Sequence, residues 1–288
     1  MTDRQAHRLP LDAHLHTDLS PDSDVPIDVF AAQAVEREIS ELAITDHVDF
    51  EPASPAFAFT TFAQRERTVR EAAERWSERG LAIQFGVEIT FDSRHEAEIR
   101  EHLRTHAYDF VIGSVHVYRA SPYAADHVAS FVAGRSLAAI VEPYFGEVLA
   151  AARSGLFDAL GHLDFVKRYL HPHVTAADLA EAPELYEPIL RSLVESGTAL
   201  EVNTSGLRQA AGETYPSASI MTRYRELGGE RITVGSDAHR AHAFAWGLAD
   251  GYAYALAAGF ESMTFRRGGD PVAVPLTPAP NAIGVHSL

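Results

Sequence analysis

The sequence predicts an α/β barrel of about seven strand–helix units. Three observations carry this expectation. Short apolar runs alternate with segments of helical period along the 288 residues, and no break in composition marks a linker. Every apolar run also ends in residues that can do chemistry: His14/His16, Asp46/His47, Glu88, His116, His162/Asp164, Asn203 and Asp237/His239. Strands alternating with helices imply a parallel sheet with right-handed crossovers. In a closed barrel all strand carboxyl ends meet on one face, whereas an open doubly wound sheet would spread these groups along an edge.

The opening strand places His14 and His16 two residues apart, so both point the same way. Ile27, Phe30, Ala31, Ala34 and Val35 then give residues 26–38 a helical period, with Asp24 and Pro26 near its start. A short run at 42–47 ends in Asp46-His47, and the stretch to Thr60, with Pro52, Pro55, Phe57 and Phe59, reads as a loop or lid. A charged helix over 61–79 ends at Gly80. Strands at 81–88, 109–116, 157–164, 198–203 and 231–235 follow, with helices at 96–106, 136–153, 176–195 (broken near Pro183 and Pro188), 216–227 and 241–258 between and after them. A weak last strand falls at 263–265. Residues 1–8 read as an N-terminal tail, 9–267 as the barrel domain and 268–288, rich in proline and small residues, as an irregular C-terminal tail.

No cysteine is present, which excludes disulfides and thiolate chemistry and leaves His, Asp and Glu as the strong metal ligands. The net charge of −16 argues against a general affinity for nucleic acid or anionic membrane, so an anionic substrate needs local positive charge. Lys167 is the only lysine, and no glycine-rich loop precedes it, which removes P-loop chemistry. The polar start of the chain and the lack of a long apolar segment read as a cytoplasmic protein with no membrane partner. Oligomeric state is not legible.

Six histidines and several acids on one face exceed the needs of a single four-coordinate ion, so two or three divalent ions (zinc, iron or manganese) are implied. Glu88, alone on its strand, suits a bridge between two of them. Such a site lowers the pKa of bound water to about 7 and clamps an anion undergoing in-line displacement, which points to hydrolysis. A nucleophilic serine, Ser114 or Ser236, is the competing reading, but no G-x-S-x-G elbow occurs. His95-Glu96 begins like a zincin motif and fails at Ile99. His102 and His106 are read as part of a solvated helix face, and His171-Pro172-His173 as a possible lining of the mouth.

His14-Leu15-His16, Thr45-Asp46-His47, Gly86-Val87-Glu88, Gly113-Ser114-Val115-His116, Gly161-His162-Leu163-Asp164 and Gly235-Ser236-Asp237-Ala238-His239 resemble the successive motifs of the PHP (polymerase and histidinol phosphatase) family, over roughly 11–265. The stretch Glu201-Val202-Asn203-Thr204-Ser205-Gly206-Leu207-Arg208, with Gly212-Glu213-Thr214-Tyr215-Pro216-Ser217, resembles its stand-alone histidinol-phosphate phosphatases more than its polymerase-associated domains. The resemblance implies a distorted TIM-like (β/α)7 barrel with the active site at the carboxyl ends of the strands. It also implies a trinuclear centre in which His14, His16, Glu88 and Asp237 hold one ion, Glu88, His116 and His162 a second, and His47 and His239 a third. Asp22 stands where the third site usually has another histidine.

Arg208, with Lys167 or Arg168, is then the expected phosphate clamp, and Asn203 a further substrate contact. Asp46, His47, Asp164 and His239 are the candidates to protonate the leaving alkoxide. The expected reaction is phosphomonoester hydrolysis, with L-histidinol phosphate as the favoured substrate in histidine biosynthesis and a metal-bound hydroxide as nucleophile. Such chemistry asks for about 20 kcal/mol of stabilisation or more, far beyond one acid or base. Acids at the mouth, in the 50–60 loop or elsewhere, are expected to meet the ammonium and imidazole. The alternatives are action on nucleotides or nucleic-acid ends, and a degenerate metal-binding domain serving as an interaction module.

Overall fold

The computed structural model describes residues 10–267 and 270–276. The strands β1 (Leu11–Leu15), β2 (Glu41–Ile44), β3 (His47–Val48), β4 (Ala82–Thr90), β5 (Phe110–Ser114), β6 (Ala159–Leu160), β7 (Ala199–Asn203) and β8 (Ile232–Gly235) form one parallel sheet. Its order is β1-β2-β4-β5-β6-β7-β8, with β3 continuing the line of β2 along β4. The sheet closes on itself: Leu15 bridges Ala238 in parallel, His16 N donates to Ala238 O at 3.1 Å and Asp237 N to His14 O at 2.9 Å. The seven-unit barrel expected from the sequence is the fold.

Around it lie α1 (Ile27–Glu36), α2 (Phe62–Ser77), α3 (Glu96–Thr105), α4 (Val128–Val132), α5 (Leu137–Ser154), α6 (Val166–Leu170), α7 (Ala176–Ala180), α8 (Glu187–Ser196), α9 (Ala218–Glu226) and α10 (Leu248–Ala257). Local chemistry sets their ends. Thr61 and Ser136 cap α2 and α5 with their side-chain oxygens, and Gly155 and Gly197, at φ 66° and 72°, close α5 and α8 in the left-handed region. Each helix turns its apolar stripe inward; α1 buries Ile27, Phe30, Ala31 and Ala34, the spacing read from the sequence. The Tyr252 hydroxyl of α10 bonds both Leu11 N and Leu11 O, tying the last barrel helix to the first strand. No helix among the described residues is long and apolar enough to cross a membrane.

Three expectations need correction. The expected irregular tail contains β10 (Asp270–Pro275), which pairs antiparallel with β9 (Ser262–Arg267) outside the barrel sheet. Pro271 and Pro275 disguised it, but an outer strand tolerates residues without an N–H, and Val274 and Leu276 alternate into the core. The helix expected over 241–258 starts only at Leu248, because Gly247 at φ 71° interrupts it after a short 3-10 turn. His102 and His106 do not share a solvated face: their rings stack at 4.4 Å and pack on Phe50, Phe62 and Tyr108. The expected tails at 1–8 and beyond 276 lie outside the described residues.

Burial, assisted by neighbouring His106 and Arg65, pushes the His102 pKa down to about 4. The unfolded chain therefore binds the proton between about pH 6.5 and 4 while the folded chain does not, so stability falls as pH drops through that window. Thermal midpoints of the wild type and His102→Gln measured from pH 7 to pH 4 are expected to converge toward the acid end; parallel curves would contradict this assignment.

Candidate metal centre

Alternation along β1 sends Asp12, His14 and His16 to one side, and all three are fully buried inside the barrel. His14 Nε2 lies 2.9 Å from His16 Nε2, and both lie 3.3 Å from Glu88 Oε2 at the end of β4. Asp237 Oδ1, from the loop after β8, completes the group at 3.8 and 3.4 Å. On the other carboxylate oxygen, Glu88 Oε1 meets His162 Nε2 at 2.9 Å and His116 Nε2 at 3.6 Å. Asp22 Oδ2 sits 2.9 Å from His239 Nε2 and 3.3 Å from His47 Nε2. His16 stacks on the His239 and His47 rings at 4.1 and 4.3 Å, which joins the groups into one centre. The structure thus brings together all nine residues that the sequence singled out as ligands.

The strand ends are shaped for this convergence. A Cβ on Gly235 would stand 2.3 Å from the His14 Cβ, so only glycine lets β8 pass β1 at that point. His162 and Asp237 both adopt positive φ, 23° and 51°, conformations that non-glycine residues hold only where their surroundings impose them.

A residue not singled out from sequence organises the floor. Glu201, fully buried on β7, accepts from His14 Nδ1 at 2.5 Å through Oε1, and through Oε2 from His162 N at 2.8 Å and Asn203 Nδ2 at 3.2 Å. A carboxylate on the far nitrogen of an imidazole fixes its tautomer and turns its other nitrogen toward a metal. The signal was available: an acid in an apolar strand, two residues before Asn203 and therefore on the same face.

Several expected substrate groups are occupied elsewhere. Lys167 is buried between Asp164 and Glu213, 2.8 Å from each, over the Tyr215 ring, so it is not free to clamp a phosphate. That pairing and Ser217 N at 3.2 Å both engage Asp164 Oδ2, and Asp164 stands outside the cleft lining, away from where a leaving group would be protonated. Asp46 spends both oxygens on Thr17, at 2.6 Å from its N and 2.8 Å from its Oγ1, pinning the turn after β1. Asn203 is buried and holds Asp237 Oδ2 at 3.2 Å rather than facing the cleft. Arg208 donates to Ser236 O and Asp237 O, each at 2.7 Å, and so braces the ligand loop. Arg168 alone of the clamp candidates lines the cleft, stacked 5.0 Å over Phe165. Ser236 gives its hydroxyl to Asp12 and Ser114 is fully buried, so neither is a nucleophile. His171 and His173 are exposed and outside the cleft lining.

The donor set fits divalent cations. Four ligand atoms around an ion at about 2.0–2.1 Å stand about 3.4 Å apart in a tetrahedron, close to the spacings around His14, His16, Glu88 and Asp237. His162 Nδ1 is buried without a hydrogen-bond partner, and His47 Nδ1 faces Glu88 Oε2 at 3.1 Å. Burial alone would lower the His14 pKa, but Glu201, Glu88 and Asp237 outweigh it and hold the pKa well above the ordinary range; His47 is raised to about 9 against the same burial cost by Glu88, Asp22 and Asp49. Burial opposes ionisation of Glu88 too, yet His14, His47 and His116 hold its pKa well below the usual carboxylate range. Such a field attracts protons or cations, and binding metal displaces the former.

The PHP domain profile matches residues 12–205. The chain belongs to the PHP family. Among relatives, a probable histidinol-phosphatase of Deinococcus radiodurans is 30% identical over 88% of this chain and 96% of its own length. A histidinol-phosphatase of Lactococcus lactis is 27% identical over 80% of this chain and 84% of its own. The crystal structure of the Lactococcus lactis histidinol phosphate phosphatase, complexed with zinc, L-histidinol and phosphate, superposes with a TM-score of 0.79 over 91% of this PHP chain and 98% of that one, at 24% identity.

Glu201→Gln keeps the shape but removes the charge behind His14. Metal retained after dialysis against a weak chelator should correspond to an affinity 10- to 100-fold below wild type, with the circular dichroism unchanged. Equal metal retention would show that Glu201 does not support the centre.

Proposed function

We propose that this PHP protein is a metal-dependent phosphomonoesterase that hydrolyses L-histidinol phosphate to L-histidinol and phosphate. The observation that carries the reading is the set of imidazole and carboxylate donors meeting through Glu88 at the base of a 480 Å³ cleft, a volume suited to a small molecule. The names of its relatives supply the substrate.

His14, His16, Glu88 and Asp237 would hold one divalent ion, Glu88, His116 and His162 a second, and His16, His47 and His239 with Asp22 flank the place for a third. Bound there, such ions supply charge neutralisation for the phosphoryl group and a water acidified toward neutral pH. Glu88 directs its two oxygens at different histidine groups and so sets their spacing. Glu201, Asn203 and Arg208 fix His14 and Asp237 before substrate arrives, so no reorganisation is spent on them during the reaction. Arg168 brings a permanent positive charge to the cleft, with no carboxylate partner among the described residues, and its fork suits a phosphate. Of the four expected acids, only His47 and His239 face the cleft. Each can hold a metal or a proton at Nε2, not both at once.

Metal-loaded protein should release phosphate from L-histidinol phosphate, lose that activity on chelation and regain it with added zinc or manganese. Glu88→Ala should lower kcat by a factor on the order of 1,000 or more, and Arg168→Ala should raise KM about tenfold. No phosphate release by the metal-loaded wild type would end this reading.

A further inference from the structure

We infer that Asp49 and Tyr118 form a subsite for a primary ammonium group, which makes the cleft selective for phosphate esters that also carry an amine. The inference rests on the phosphomonoesterase reading above. His47 and Asp49 lie two residues apart in extended chain and therefore share a face, His47 at the metal centre and Asp49 one step further out. Asp49 is nine-tenths buried and lines the cleft. Its Oδ2 accepts from the Ser54 hydroxyl, while Oδ1 is buried and has no hydrogen-bond partner. Across the same cleft lining, the Tyr118 hydroxyl is likewise buried and unpartnered.

Two polar atoms left without partners in one cleft, one of them on a carboxylate, are costly unless something meets them there. The neighbouring charges narrow what that something is. Glu51 and Asp92 share Arg94, and Asp22 faces His239 and His47. Asp49 has no ion pair among the described residues; the Arg65 guanidinium, whose charge reaches it, is held on the carbonyls of His47 and Thr60. Asp49, Asp92 and Glu51 all add negative potential at the Tyr118 hydroxyl. A group with several N–H donors and a positive charge satisfies both atoms, and an alkylammonium has three such donors. Asp49 would take one N–H at Oδ1 and Tyr118 a second at its hydroxyl oxygen, while Arg168 and the metal centre receive the phosphate.

The test compares L-histidinol phosphate with 3-(imidazol-4-yl)propyl phosphate, which differs only in carrying hydrogen in place of the amine, on metal-loaded enzyme. Wild type should prefer the amine ester. In Asp49→Asn and in Tyr118→Phe the ratio of kcat/KM for the two esters should fall at least tenfold and threefold, carried by KM, and Asp49→Glu should restore part of it. An unchanged ratio, or equal loss on both esters, overturns the subsite. If the wild type hydrolyses neither ester, the phosphomonoesterase reading fails by itself. The subsite is then read by calorimetry with L-histidinol alone: binding at least tenfold weaker in Asp49→Asn upholds it, and equal or absent binding to the wild type refutes it.

Discussion

The Glu201 carboxylate is the constraint on which the centre depends. From the middle of one strand it reaches His14 on the first strand, the peptide of His162 after the sixth segment of the barrel, and Asn203, which in turn holds Asp237 after the last barrel strand. One anion thus sets the relative positions of ligands that are more than two hundred residues apart in sequence. Space for it is part of the design: a Cβ on Gly235 would come within 3.2 Å of its Oε1, and one on Gly161 within 3.5 Å of its Oε2. The glycines that open the G-H-L-D and G-S-D-A-H motifs therefore serve the support beneath the ligands as much as the turn of the chain.

Closure of the barrel and assembly of the centre are one event. The backbone hydrogen bonds that join the segment after β8 to β1 belong to His14, His16, Asp237 and Ala238, so the seam is written in the ligand segments themselves. Below it, Asp12 accepts from Ser236 N and Ser236 Oγ at 2.8 and 2.5 Å, and burial raises its pKa to about 6 despite those bonds. A carboxyl group kept from water in this way makes the seam a polar joint within an otherwise apolar core.

Much of this was readable from the chain because two periodicities agree with each other. The strand–helix alternation gave the architecture, and the chemical residues fell at strand ends, which is where a closed parallel barrel gathers them. All nine ligand candidates converge for that reason. What the sequence concealed was direction. Asp46 and Asp164 follow strand ends as the ligands do, but one turns into a loop on Thr17 and the other pairs with Lys167 of α6, whose ammonium lies over the Tyr215 ring. A strand end names the residues near a site without saying which face each side chain takes after the strand stops. Glu201 and the β10 strand were missed in the opposite way: a buried acid in a strand and a proline-flanked hairpin are rare enough that pattern alone reads past them.

The burial of Lys167 also has a bearing on how the surface behaves. It is the only lysine of the chain, only 2% exposed and locked between two carboxylates, so no side-chain amine among the described residues is offered to solvent. The positive part of the outer surface is guanidinium, which keeps its charge at any pH the fold survives and forms no amide with acylating reagents. Reagents that decorate most proteins through lysine side chains would find none exposed among the described residues, whose reactive exterior is imidazole, carboxyl and phenol groups.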